Sequence, residues 1–187
     1  MAPQSQEHLS QLAFDFSAKP EARPAPAPLY RIEPGQLAGL NGREAELGRF
    51  VRTVDAAITI NTPRVAAEFL QQQVFAPFEL FEQEELVTLM LNTKNRITHE
   101  ALIYRGTINA VYIRPAEIFR PAIRLNALAI ILAHNHPSGL AEPSSLDVRF
   151  TENIVKAGEL LEVNVLDHII VGRDEWVSLR ERKLGFG

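Results

Sequence analysis

The most apolar segment of this chain is ALAIILAHNH, Ala127 to His136, and it limits the folds that are open to the sequence. Its length suits a single strand and falls well short of the ~18 apolar residues that a membrane-spanning helix needs. A continuous apolar run without alternation is typical of a strand that is covered on both faces. The sequence therefore predicts a central buried strand in a sheet with other elements packed on both sides.

Segments with strand and helix patterns flank this strand. Short apolar runs bounded by turn residues predict strands, and apolar residues at helical spacing predict helices. We therefore expect an α/β (α+β) layered domain, with a mixed central β-sheet flanked by helices. The predicted strands cover residues 86–92, 97–106, 127–136, 163–172 and 175–179, and the predicted helices cover residues 42–58, 63–75, 115–127 and 144–162.

The N-terminal part of the chain differs in composition from the rest. Residues 1–30 include the proline-rich stretch EARPAPAP, which is typical of an extended linker. The apolar island QLAFDF, Gln11 to Phe16, is either a short docking motif for a protein partner or a tail segment that packs on its own domain. Three parts are predicted: a disordered tail at residues 1–30, a short helical segment at 31–62 and a folded domain at 63–187.

Charge and cysteine content argue against several kinds of function. A net charge of -4 and a pI near 5.8 argue against a nucleic-acid partner, because such proteins usually carry a basic excess. The chain has no cysteine, so thiol catalysis is excluded and any metal site must use His and carboxylate ligands. The N-terminus lacks a secretory signal pattern and no segment predicts a membrane span, so we expect a cytoplasmic protein.

Two histidines and one aspartate form the candidate metal site. His134 and His136 are two residues apart at the end of the predicted central strand, so both side chains point to the same face. Asp147 lies at the start of the next helix, three residues after the N-cap Ser144. Ser-x-x-Asp alone predicts a capping box, in which both side chains only satisfy backbone N–H groups. With the His pair upstream, the same aspartate completes a set of two His and one carboxylate, which is a known catalytic zinc arrangement.

The string His134-x-His136-x7-Ser144-x2-Asp147 resembles the signature of the JAMM (MPN+) metallopeptidases. AHNHPSG, EPSSLD, RGTINAVYIRPAEIF and VLDHIIVG narrow the resemblance to the bacterial RadC family, from about Thr62 to the C-terminus. The N-terminal part does not match, because typical RadC proteins carry a helix-hairpin-helix-like segment there.

This resemblance implies one Zn²⁺ per chain, with His134, His136 and Asp147 as its ligands. It implies a metallopeptidase or isopeptidase that acts on a peptide or protein substrate, with zinc-activated water attacking an amide carbonyl. Ser144 matches the family's serine, which is expected to hydrogen-bond the oxyanion.

The same resemblance implies a general base, a glutamate at the start of an early strand. Glu84 stands just before the strand LVTLML and fits that position best. Glu100, on the next strand, is the alternative, and a third possibility is that neither serves. Glu85 is adjacent to Glu84, but strand alternation predicts that it points to the other face.

Other functions remain open at the level of sequence. The same ligands suit a zinc hydrolase that cleaves a different bond, and the family name suggests a DNA-repair-associated or protein-binding module with little or no catalysis. Asp167 and His168 interrupt an apolar strand, where a buried polar group needs a partner. We expect this pair either to support the metal ligands from behind or to form a structural contact of its own.

Overall fold

The computed structural model describes residues 50–54, 58–106 and 113–187. In these ranges six strands form one mixed sheet with the order β1-β3-β2-β4-β5-β6. Strands β4 and β5 are parallel. The other neighbouring strands are antiparallel, namely β1–β3, β2–β3, β2–β4 and β5–β6. The strands are β1 Phe50–Thr53, β2 Glu85–Leu91, β3 Ile97–Arg105, β4 Ala129–Asn135, β5 Asn164–Val171 and β6 Trp176–Ser178. The helices are α1 Pro63–Phe69, α2 Pro115–Arg124 and α3 Ser145–Leu161. Helix α1 continues as a π-helical turn at Leu70–Val74, and a 3-10 turn covers Phe78–Leu80.

Both faces of the sheet are covered, as the apolar run in β4 requires. Every residue of β4 is buried, and the strand lies between β2 and β5. Alternate side chains of β2 and β4 enter two different apolar cores. One core packs on α1 and its π-helical turn, and the other packs on α2 and α3. The prediction of an α+β layered domain with a mixed central sheet is therefore confirmed.

Local sequence explains where the helices begin. The side chain of Thr62 caps α1 by accepting a hydrogen bond from the backbone N–H of Val65, and Pro63 occupies the first turn. Helix α2 likewise starts with a proline, Pro115, and continues through Pro121. Helix α3 starts with the predicted capping box between Ser144 and Asp147.

The predicted helix over residues 42–58 is wrong at Phe50–Thr53, which form strand β1. This strand pairs with β3, so the sheet includes residues ahead of Pro63. Its side chains alternate: Val51 enters the core on the α2–α3 side, while Arg52 binds Glu100 of β3. The pairing with β3 outweighs the weak helical pattern, because neighbouring strands satisfy backbone groups that local spacing cannot. The predicted tail and QLAFDF lie outside the described residues.

Candidate metal centre

The candidate centre lies at the carboxyl end of β4, on the face of the sheet that α3 covers. His134 is the last-but-one residue of β4, and His136 follows the strand while its backbone N–H still donates to Val171 of β5. Helix α3 brings Asp147 over this strand end from its first turn. The structure thus places together the three residues that the sequence predicted as metal ligands.

The ligand atoms face one another at short distances. The Nε2 atoms of His134 and His136 are 3.0 Å apart, and Oδ1 of Asp147 is 3.4 Å from Nε2 of His134. Oδ2 of Asp147 is 4.0 Å from Nε2 of His136. Ligands at ~2.0–2.1 Å from a tetrahedral zinc ion are themselves separated by roughly 3.3 Å. The donor set therefore fits one zinc ion with modest adjustment of these distances.

Asp147 divides its two oxygens between the helix cap and the site. Oδ2 accepts hydrogen bonds from the backbone N–H of Ser144 at 2.7 Å and from its hydroxyl at 2.6 Å. Oδ1 is the atom directed at His134. The capping box and the metal-site interpretation are thus compatible, since they use different atoms of one carboxylate.

Burial makes this an electrostatically unusual position for two imidazoles. His134 is only 1% exposed, and burial lowers its pKa to about 4, with the nearby Asp147 opposing the effect. Burial also holds the pKa of His168 well below its usual value. Neutral imidazole is the form that binds a metal ion, so burial keeps the His134 ring in its metal-binding form at neutral pH.

A chain of hydrogen bonds lies behind His134. Nδ1 of His134 is 2.8 Å from Nε2 of His168 on β5, and Nδ1 of His168 is 2.6 Å from Oγ1 of Thr151 on α3. The Thr151 hydroxyl donates to the carbonyl of Asp147, one helical turn earlier. Of the expected pair, His168 therefore contacts the site. Asp167 points to the opposite face and binds Ser178 and the backbone N–H of Arg180.

His136 is oriented by the loop that follows it. Its Nδ1 lies 2.9 Å from the carbonyl oxygen of Leu140. Gly139 has a φ of +88°, a conformation that suits glycine, and the loop packs closely against Gly172. A Cβ atom at Gly172 would lie 2.4 Å from the carbonyl oxygen of Gly139.

The two candidate bases fall on opposite faces of the sheet. Leu86 of β2 lies directly opposite His134 of β4. Glu84 lies two residues before Leu86, and its backbone carbonyl accepts a hydrogen bond from the backbone N–H of Gly106, just after β3. Alternation therefore puts Glu84 on the same face as the histidines and level with His136. Glu100 of β3 lies opposite Leu89 of β2, whose side chain enters the core on the α1 side of the sheet. On that side Glu100 forms an ion pair with Arg52. The structure thus does not bring Glu100 to the metal ligands.

Asn135 fixes the backbone around Glu84. Its side-chain oxygen accepts from the backbone N–H of Glu85 at 2.7 Å, and its amide nitrogen donates to the carbonyl of Gln83 at 3.1 Å. Strand alternation directs Asn135 away from the face of His134 and His136, and these contacts were not predicted from the sequence. The sequence did contain a signal for these contacts. Asn135 lies between His134 and His136 on a buried strand, where its side-chain amide needs hydrogen-bond partners. Glu85 itself pairs with Arg105, and burial raises its pKa to about 7.

In the three described ranges, no helix combines the length and apolar character needed to cross a bilayer.

Comparison with known proteins shows the family of this chain. The family model described as the RadC-like JAB domain matches residues 60–184. A UPF0758 protein of Chloroflexus aggregans (strain MD-66 / DSM 9485) is similar to the chain, with 42% identity over 143 residues. Those residues make up 75% of this chain and 61% of the relative, so less than two thirds of the relative's length is matched. The matched region contains the whole His134–His136–Asp147 cluster, and the chain belongs to the family of RadC-like JAB-domain proteins.

Proposed function

We propose that this protein is a zinc-dependent hydrolase of the metallopeptidase or isopeptidase type, acting on a peptide or protein substrate. The observation that carries the proposal is the cluster of two imidazoles and one carboxylate, whose ligand atoms all lie within 4.8 Å of one another. His134, His136 and Asp147 would hold one Zn²⁺. A zinc ion bound there would lower the pKa of a coordinated water towards ~7 and polarise a substrate carbonyl.

The chain's own residues supply proton transfer and orientation. Glu84, on the same face as the ligands, takes a proton from the attacking water and delivers it to the leaving amine. Asn135 holds the peptide groups on both sides of Glu84 and so limits where its carboxylate can go. We favour Glu84 over Glu100, because Glu100 lies on the other face in a buried pair with Arg52.

Ser144 has a second task besides the cap. Its hydroxyl donates to Oδ2 of Asp147, and it is exposed at the edge of the site. Turned towards a substrate, the same hydroxyl would donate to the oxygen that gains negative charge as the carbonyl is attacked. The backbone N–H of Asp147, which now donates to Ser144, would keep the helix start in place.

Metal content is the first test. Wild type and His136→Ala are purified without chelator, supplied with zinc, and compared by elemental analysis. We expect close to one zinc per chain in wild type and a large loss in the variant. His99→Gln is the matched control, since His99 lies on β3 opposite Met90 of β2, four residues along β2 from Leu86, the partner of His134. A wild type that binds no zinc would remove the basis of the proposal.

Catalysis is tested separately with Glu84→Gln. This variant should keep its zinc, because Glu84 is not in the ligand cluster, and should lose about 10²–10⁴-fold in hydrolysis of linear and isopeptide-linked peptides. Glu100→Gln serves as comparison and should retain hydrolysis in the folded fraction. If Glu84→Gln cleaves as fast as wild type, Glu84 is not the base. If the zinc-loaded wild type cleaves neither kind of bond, the hydrolase proposal fails and a binding module takes its place.

A further inference from the structure

We propose that Thr151 and His168 are positioning residues that fix the ring tautomer of His134 and leave its Nε2 free to bind a metal ion. The inference rests on the proposed metal site for its functional meaning. The assignment of protons, however, follows from the hydrogen bonds alone. The Thr151 hydroxyl has one proton and two close neighbours, the carbonyl oxygen of Asp147 and Nδ1 of His168.

The neighbours of the Thr151 hydroxyl decide the direction of the first hydrogen bond. The carbonyl oxygen of Asp147, 2.7 Å away, can only accept, so the hydroxyl donates its single proton there. The other neighbour, Nδ1 of His168 at 2.6 Å, must then be the donor. His168 therefore carries its proton on Nδ1, and the Thr151 oxygen accepts it.

The second hydrogen bond follows from the first. A neutral imidazole has one ring proton, so Nε2 of His168 is an acceptor. It lies 2.8 Å from Nδ1 of His134, which must donate. His134 thus carries its proton on Nδ1, and its Nε2 has a free lone pair. That is the nitrogen directed at His136 and Asp147.

His136 reaches the same tautomer by a separate route. The carbonyl oxygen of Leu140 accepts from Nδ1 of His136 at 2.9 Å, so Nε2 of the neutral ring is also unprotonated. Two nitrogens without protons then face each other at 3.0 Å, where neither can donate to the other. Such a pair is stabilised by a cation between the two lone pairs, and the carboxylate of Asp147 adds to that attraction.

Thr151 of α3 thereby acts on His134 of β4 through His168 of β5. Without its hydroxyl, Nδ1 of His168 would have no acceptor in this relay. The ring would favour the opposite tautomer, with its proton on Nε2, and would donate to Nδ1 of His134. His134 would then hold its proton on Nε2, where it blocks metal binding. The expected effect of removing this support is a loss of about 10–100-fold in zinc affinity.

The test compares Thr151→Val with Thr151→Ser. Valine keeps the shape of the fully buried side chain and removes the hydroxyl, whereas serine keeps the hydroxyl. Tautomers are read from ¹⁵N chemical shifts of the histidine rings in the metal-free proteins at neutral pH. Zinc affinity is measured by competition with a chromophoric chelator. We expect the Nδ1–H form of His134 in wild type and Thr151→Ser, and the Nε2–H form in Thr151→Val, with the 10–100-fold loss of zinc affinity confined to valine.

Each result has a definite meaning. A wild-type His134 with its proton on Nε2 would overturn the inference, and so would equal tautomers in the valine and serine variants. Equal loss of zinc affinity in both variants would show that Thr151 acts through packing. If wild type binds no zinc, the proposed function fails, but the ring shifts still decide whether Thr151 and His168 set the tautomer of His134.

Discussion

Breaking the buried ion pair between Arg52 and Glu100 should cost much of the stability of this fold. Nε and Nη2 of Arg52 contact Oε2 of Glu100 at 2.9 and 2.6 Å, and Nη2 also donates to the carbonyl of Gln73. The two side chains are 8% and 0% exposed. Arg52→Met therefore leaves a carboxylate buried without its cation. We expect the free energy of unfolding at about pH 8 to fall by about 3 to 5 kcal/mol.

The stability lost in Arg52→Met should grow as the pH rises. Burial already raises the pKa of Glu100, with Arg52 opposing the effect, and the substitution removes that opposition. The folded state then binds a proton that the unfolded chain, with a glutamate pKa of about 4.3, does not hold. Stability contributed by such a group is present at low pH and is lost as pH rises. The variant should therefore be closer to wild type at roughly pH 5 than at roughly pH 8.

Urea unfolding of the metal-free protein at both pH values is the measurement. Arg182→Met is the matched control, because its pair with Glu142 is exposed and should be worth less than about 1 kcal/mol. Replacing both Arg52 and Glu100 by apolar residues should recover most of the loss. The reasoning is refuted if Arg52→Met costs no more than the control, or if its cost is the same at both pH values. Zinc content should not change, because Glu100 lies on the face opposite His134.

Three further predictions concern the site itself. Asn135→Ala should keep zinc but reduce hydrolysis by at least about tenfold, because the backbone around Glu84 is released; metal analysis and rate assays check this. Gly172→Ala should cost about 1–3 kcal/mol in urea unfolding and weaken zinc binding in chelator competition, since the new methyl group meets the Gly139 carbonyl at 2.4 Å. Metal-free protein should lose up to about 3 kcal/mol between roughly pH 7 and pH 4, because the buried His134, with a pKa of about 4, resists a proton that the unfolded chain binds near 6.5. Urea unfolding of His134→Gln should show a flatter pH profile.

The sequence alone determined the layered fold and the three residues of the candidate metal site. The unbroken apolar run of β4 required cover on both faces, and the pattern His134-x-His136 placed two imidazoles on one side of a strand end. The N-cap pattern at Ser144 located the start of α3, and with it the place of Asp147. These features are local, since strand alternation and helix capping depend on residues only a few positions apart.

Tertiary structure decided everything that depends on pairing between distant segments. Local spacing could not show that Phe50–Thr53 joins β3 as a strand, or that this pairing leaves Glu100 beside Arg52. The registers of β2 on β3 and on β4 place Glu84 and Glu100 on opposite faces of the sheet, and a sequence does not contain a register. The hydrogen bonds from Thr151 through His168 to His134 join α3, β5 and β4. They form only after the helix packs on the sheet, because residues from three separate elements must meet within hydrogen-bond distance.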